Sequence, residues 1–356
     1  MPTLVTRYGE LLVPDTTTDI IGRFLARYGE WAWLEAEFVA SVLPPEARVL
    51  DVGAFIGTFG LGVATARALH SLICVEANAG VVPLLRDNLQ RNAPCASGLI
   101  EAMVAGRGAA TRPGRVAEGN LGGTSFVDAG SGGTPVPAPA ATLTLSELRA
   151  RHGPFDLVKL DVEGMEHEAL MADAAALSRG ETAIWAECND EVGSLHLARL
   201  LLSWSPRIYY FAFPAFNPDN FAGDGSVIFP WAFEAGLLAF PPIPPRLSAA
   251  QEAKDCILRC IDSVEALRDA MWRTPRWGMP EWPPGASRAE IVALAGRTLR
   301  SQTYEHYLRE DFPRPTGPEK NLWERLAEAE AALATARVVA SAARPPNIMR
   351  RLFRRR

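Results

Sequence analysis

The 356-residue chain has no excess of positive charge: 36 Lys and Arg face 41 Asp and Glu, a formal net charge of −5. Phosphate contacts need a basic surface, so the balance argues against a general nucleic-acid binder. Cysteine is also scarce. The five residues Cys74, Cys95, Cys188, Cys256 and Cys260 are odd in number and form no C-x-x-C pair. A disulfide scaffold, a thioredoxin-like motif and a zinc site are therefore not expected, and a reduced compartment fits best. The five histidines are scattered, with no H-x-x-x-H pair among them. Residues 1–19 lack the basic and apolar regions of a signal peptide, and no apolar run is long enough to span a bilayer. A soluble, cytoplasmic protein is expected.

Hydrophobic residues, by contrast, are plentiful at 48%, enough for a large core. The length suits one full α/β domain with an appended part. An amphipathic stretch at 31–43 reads as a lead-in helix that ends at Pro44-Pro45. The short apolar runs at 48–53 and 71–76 read as buried parallel strands, and 57–69 and 81–92 as the helices that follow them. Residues 106–139, rich in Gly, Ala, Pro and Thr, read as a long loop. Strands are then expected at 155–161, 182–187, 207–213 and 226–229, with helices at 164–177 and 194–203. This order predicts a Rossmann-like, doubly wound, mostly parallel sheet. The proline cluster at 241–245 marks a change of character. The expected organisation is a lead-in helix at 1–44, the α/β domain at 45–235, a C-terminal helical extension at 236–343 (helices at 250–271, 288–309 and 320–343) and a basic tail at 344–356.

The first chemical motif is Asp51-Val52-Gly53-Ala54-Phe55-Ile56-Gly57, which leaves a strand and opens a helix. Glycines there let a ligand approach the backbone, and the helix start offers free N–H donors. A dinucleotide fingerprint requires G-x-G-x-x-G, but Phe55 occupies the place of its second glycine. The pattern D-x-G-x-x-x-G suits a cofactor without phosphate, such as S-adenosylmethionine, with Asp51 ordering the turn and approaching the cofactor's methionine end. Glu76, at the end of the second strand, can accept hydrogen bonds from both ribose hydroxyls. Tight-turn chemistry and a solvated strand end are the bland alternatives. Asp161-Val162-Glu163-Gly164-Met165-Glu166 and Glu187-Cys188-Asn189-Asp190 each lie at the carboxyl end of an expected strand, where open α/β sheets bind ligands. Glu166 reads as a helix N-terminal charge, and Lys159 as a side chain that snorkels to solvent.

Taken together, VLDVGAFIGTFG (49–60), VEANAGVVPLLRDNLQRN (75–92) and VKLDVEGMEHEAL (158–170) resemble the FkbM-type methyltransferase family. IWAECND (184–190), FNPDNF (216–221) and NLGGTSF (120–126) resemble a branch of it often encoded with glycosyltransferases. The resemblance covers about residues 45–230. It implies a class I methyltransferase fold, S-adenosylmethionine as cofactor, and methyl transfer to a hydroxyl of a carbohydrate or polyketide-like acceptor. Cofactor contacts then fall to Asp51, Gly53, Ala54, Phe55, Gly57, Glu76, Ala77 and Asn78. A hydroxyl acceptor must lose a proton, which a positioned carboxylate can take. Asp161 is the first candidate for that base and Asp190 the second, while Glu163, Glu187 and Asn189 would orient the acceptor. Asn217, Asp219 and Asn220 could bond sugar hydroxyls, or could form a plain Asn/Pro turn. The family commonly has Asn at the place of Phe55, and residues 102–111 offer no acidic group for the adenine amino group. Asp161, Glu187, Asn189 and Asp190 are oxygen ligands that magnesium accepts, but their positions fix no geometry, so no metal is assigned.

Two other classes remain open. A nicotinamide-dependent dehydrogenase would need the fingerprint that Phe55 breaks. A degenerate methyltransferase fold could act as a scaffold for a glycosyltransferase or a second copy of the chain. The tail, with Leu352 and Phe353 among five arginines, could rest on an anionic membrane surface or stay a solvated end.

Overall fold

In the computed structural model, strands β1 (Thr3–Thr6) and β2 (Gly9–Leu12) form an antiparallel hairpin, followed by α1 (Ile20–Tyr28) and α2 (Trp33–Ser41). The chain continues through β3 (Ala47–Val52), α3 (Thr58–Ala66), β4 (Leu69–Glu76), α4 (Val82–Asn92), β5 (Ala96–Glu101) and β6 (Met103–Val104). Next come β7 (Gly114–Ala117), β8 (Asn120–Ser125), β9 (Thr134–Val136), β10 (Thr142–Leu143) and α5 (Leu145–His152). Then follow β11 (Leu157–Leu160), α6 (Glu166–Met171), α7 (Ala174–Leu177), β12 (Ala183–Glu187) and α8 (Val192–Trp204). The last elements are β13 (Ile208–Pro214), β14 (Phe233–Ala239), α9 (Ala249–Glu252), β15 (Ile257–Ile261) and α10 (Val264–Trp272). The structure describes residues 2–117, 119–126, 133–228 and 232–274, all within the first of two units of the chain, 1–291. The expected helices at 288–309 and 320–343 and the basic tail lie outside the described residues.

The central sheet has the order β15-β13-β14-β12-β11-β3-β4-β5. β12, β11, β3, β4 and β5 run parallel, whereas β14, β13 and β15 pair antiparallel. This is the expected Rossmann-like, mostly parallel sheet, covered on both faces by apolar clusters. From β3 the chain winds outward through β4 to β5, then returns to β11 on the other side of β3. The carboxyl ends of β3 and β11 therefore flank a topological switch point, where such sheets bind ligands.

The hairpin β1-β2 is tied to the domain by buried Asn88 of α4, whose amide donates to Leu12 O and Ile56 O (2.9 Å) and whose oxygen accepts from Leu12 N (2.7 Å). Asp19 caps α1 through Gly22 N and also accepts from Leu121 N, at 2.7 Å each, so one carboxylate fixes a helix start and β8 together.

Four expectations need correction. The boundary at 236 falls inside β14, a buried central strand. A Cβ at Gly236 would lie 2.2 Å from the indole of Trp185, so glycine is required by packing. The stretch 250–271 is not one helix: β15 forms the sheet edge, and Ser263 caps a new start at α10. Finally, the described part of 106–139 holds a small antiparallel sheet, β8-β7-β9, rather than loop throughout. The described residues of 226–229 form no strand. No helix among the described residues is long and apolar enough to cross a membrane.

Candidate active site

A cavity opens at the switch point. One side of it is built from the β3–α3 turn and the end of β4. Gly53 there has φ 75°, and a Cβ on it would sit 1.7 Å from the Asp161 carbonyl oxygen. No side chain fits, because the turn is pressed against β11's exit. Gly53 and Ala54 N–H both donate to Val75 O, at 3.0 and 3.1 Å. Phe55 also takes a left-handed conformation (φ 49°), which costs a non-glycine residue on the order of 1 kcal/mol and is held here by its surroundings. Its N–H donates to Glu76 Oε2 (2.8 Å), while Glu76 Oε1 accepts from Asn78 N (2.7 Å). Each Glu76 oxygen thus accepts at least one backbone bond, and the side chain lines the cavity. Burial raises its pKa against the pull of those N–H donors.

The expected cofactor residues divide into two groups. Gly53, Ala54, Phe55, Glu76 and Ala77 line the cavity. Asp51, Gly57 and Asn78 stand behind it. Asp51 is fully buried and accepts from Gly60 N (3.1 Å) in the first turn of α3, so it orders the turn rather than reaching a ligand. Gly57, with φ 92°, begins α3. Asn78 donates from Nδ2 to Thr124 Oγ1 (3.0 Å), linking β4's exit to β8, which roofs the cavity with Leu121, Gly122 and Gly123. Beside Glu76 the wall is apolar: Ala102, Met103, Val104, Phe126 and Met165. The backbone N–H groups of Ala102 and Met103 are already given to Glu76 O and Ala141 O, so they are not spare donors for an adenine ring. A carboxylate at the cavity edge next to an apolar wall suits a nucleoside: a diol on the acid, a base against the wall.

The other side is acidic. Asp161, Glu163 and Glu187 come together from the ends of β11 and β12, each offering one oxygen within 4.8 Å of the others. Such an all-oxygen trio could also receive a divalent cation. Glu163 sits at φ 51°, and its carbonyl accepts from Ser125 Oγ of β8. Burial, reinforced by the charges of Asp161 and Glu166, pushes the Glu163 carboxyl up to about 8. Burial and then Asp161 and Glu163 raise Glu187 well above the usual carboxylate range. Glu166 instead turns inward, accepting from Val162 N (2.9 Å), which makes it the strut of the 161–166 turn. Asp190 is exposed and not among the residues lining the cavity. Asn189 lies with His167, Ser194 and His196 around a neighbouring cavity that Glu187 also touches.

Asn217 and Asn220 do not reach either cavity. Asn217 Nδ2 donates to buried Glu30 (2.7 Å), and Asn220 Nδ2 to Asn217 O and Asp224 O. Asp219 pairs with Lys254 (3.1 Å). The FNPDNF segment is thus a hydrogen-bonded turn, the bland alternative.

Sequence reasoning missed two charged residues here and misread a third. Glu35 of α2 lines the cavity and accepts from Trp185 Nε1 (2.7 Å); burial, only partly offset by Lys159 and that bond, pushes its carboxyl up to about 7. Glu234 enters from β14. Lys159 does not snorkel. It is 4% exposed, with Nζ 3.4 Å from Asp51 Oδ1, 3.2 Å from Asp161 Oδ2 and 3.1 Å from Gly53 O. Burial alone would lower its pKa, but Asp161, Asp51 and Glu35 outweigh burial and hold the ammonium charged. The only sequence signal was the cation two residues before Asp161 on a buried strand.

Residues 51–204 match the family model described as Methyltransferase FkbM domain. The chain carries a methyltransferase-type domain. Both chemical clusters of the cavity, the β3 turn with Glu76 and the trio at the ends of β11 and β12, fall inside that match, whereas Glu35 and Glu234 fall outside it. No curated protein matches the chain. Among solved structures, it is similar to the methyltransferase FkbM from Methylobacillus flagellatus KT (15% identity, 58% of this chain, 50% of that one, TM-score 0.35). It is likewise similar to an O-methyltransferase from Bacillus cereus in complex with SAH (15% identity, 64% and 91%, TM-score 0.35). Spermidine synthase from Thermotoga maritima is a third such structure (15% identity, 58% of each chain, TM-score 0.34). The chain spans half the length of the Methylobacillus protein.

Proposed function

We propose that this protein is an S-adenosylmethionine-dependent O-methyltransferase acting on a hydroxyl of a sugar or glycan-related acceptor. The observation that carries the proposal is the single cavity with two chemically distinct sides. The Gly53–Phe55 turn and Glu76 form one, and Asp161, Glu163 and Glu187 form the other. The first side would hold the cofactor: Glu76 for the ribose, the slot of Met103, Phe126 and Met165 for the adenine, and the bare Gly53 turn for the remainder. When bound, S-adenosylmethionine supplies an electrophilic methyl group, so the protein's tasks are alignment and removal of the acceptor's proton.

Asp161 is the residue proposed for that proton. It lines the cavity, and the Lys159 ammonium lies 3.2 Å from its Oδ2. Burial and the neighbouring carboxylates push Glu163 and Glu187 upward, toward the protonated form in which a carboxyl can both donate to and accept from hydroxyl groups. That dual capacity suits a polyhydroxylated acceptor better than a purely apolar one. A cytoplasmic setting belongs to the same proposal.

The test is a screen of sugars and sugar nucleotides with labelled S-adenosylmethionine, read by transfer of label and by mass spectrometry. The expected result is a methyl ether on a sugar acceptor, lost in Asp161→Asn. Label appearing only on amine or carboxyl acceptors would contradict it.

A further inference from the structure

Lys159 stands between the two sides of the cavity. Lys159 is on β11, whose residues Leu157 to Leu160 are all buried, and its side chain runs under the cavity floor. Three oxygens surround its ammonium: the Gly53 carbonyl of the cofactor turn, Asp51 beneath that turn, and Asp161 at the acceptor side. It also lies 5.4 Å from the Phe59 ring centroid, so its remaining surroundings are apolar. A charged group so placed costs several kcal/mol to bury unless each partner is held in good geometry. Asp51 cannot move, being fully buried and bonded to Gly60 N. Gly53 cannot retreat, because its α-carbon is packed against the Asp161 backbone.

We propose that Lys159 is a positioning residue that couples the two sides of the cavity, fixing the cofactor turn through the Gly53 carbonyl and the acceptor-side carboxylate through Asp161. The proposal rests on the reading of the Gly53–Glu76 side as the methyl-donor site. A purely structural ion pair with Asp51 would stabilise the fold and do nothing more. A coupling residue sets the turn that a donor must bind and also the charge that the donor meets.

The experiment is calorimetric titration of the full chain, wild type beside Lys159→Met, with S-adenosylmethionine and S-adenosylhomocysteine in parallel, folding being checked by circular dichroism. Loss of the bond to the turn should weaken S-adenosylhomocysteine about tenfold or more. Removal of one positive charge should at the same time favour the sulfonium of S-adenosylmethionine, shifting the ratio of the two affinities about threefold or more toward it. Equal losses for both ligands, or affinities within about twofold of wild type, would overturn the coupling role. Should Lys159→Met fail to fold, Asp51→Asn combined with Lys159→Met removes the buried pair together; unchanged S-adenosylhomocysteine affinity in that variant overturns the proposal equally. A wild-type protein that binds neither ligand strikes the donor-site reading itself, a distinct outcome.

Discussion

The two sides of the cavity are built on different principles. The donor side is rigid backbone: Gly53 with no room for a Cβ, Phe55 in a left-handed conformation, and Glu76 locked by two N–H donors. The acceptor side is side-chain charge. Asp161, Glu163 and Glu187 crowd together, Glu35 and Glu234 line the same cavity, and of the trio only Asp161 pairs with Lys159. The backbone cradle tolerates almost no substitution, and its one carboxylate, Glu76, is held by N–H donors. A carboxylate cluster tolerates isosteric substitution but changes state with pH. The contrast teaches that the ligand with fixed chemistry belongs to the first side and the proton-transferring step to the second.

Substitutions can break that division. The largest effect is expected for Gly53→Ala: a Cβ 1.7 Å from the Asp161 carbonyl, at positive φ, forces the turn apart. It should cost about 3 kcal/mol or more of stability and remove S-adenosylhomocysteine binding, read by thermal melting and calorimetry. Retained binding would refute the rigid-cradle description. Next, Asp161→Asn should lower methyl transfer about 10²–10⁴-fold while the protein still binds S-adenosylhomocysteine. Equal activity would move the base elsewhere.

How far this division could be read beforehand depends on what holds each part. The donor side was legible, because Gly53 and Gly57 with Glu76 at a strand end form a short-range pattern that backbone geometry demands. The same reading also gave the parallel strands β3, β4, β11 and β12 as near-continuous apolar runs. Asp161, Glu163 and Glu187 were found through their strand ends. Glu35 and Glu234 were not, since they come from α2 and β14, remote in sequence and brought in only by tertiary packing. β14 itself was hidden by Gly236, whose missing side chain makes sense only with Trp185 lying over it. Lys159 was misread because pattern alone cannot show that Asp51 and Asp161 converge on a buried ammonium. Asn217 and Asn220 carried sugar-like chemistry but are consumed by Glu30 and the turn's own carbonyls.

Two smaller effects sharpen the comparison. Glu163 is raised to about 8 in the fold, above its unfolded value, so the folded state holds the extra proton. The associated stability is present at acid pH and is lost as pH rises from about 4.5 through about 8. Glu163→Gln should therefore flatten the fall of melting temperature between pH 5 and pH 8.5, by roughly 2–4 °C for each 1 kcal/mol involved. An unchanged slope would remove Glu163 from the cluster's titration. The smallest effect on the site is expected for Asn217→Ala, which leaves Glu30 short of a donor. Stability should fall by about 1–3 kcal/mol with S-adenosylhomocysteine affinity unaltered. A selective loss of affinity would reinstate the segment as part of the site.

The most direct test of the central claim, that the Gly53–Glu76 side is a donor site, is calorimetric titration of S-adenosylhomocysteine into wild type and Glu76→Ala. The account predicts saturable one-to-one binding by wild type and a loss of about tenfold or more in the variant, as the ribose loses its acceptor. Equal binding by both proteins, or none by a folded wild type, would contradict it.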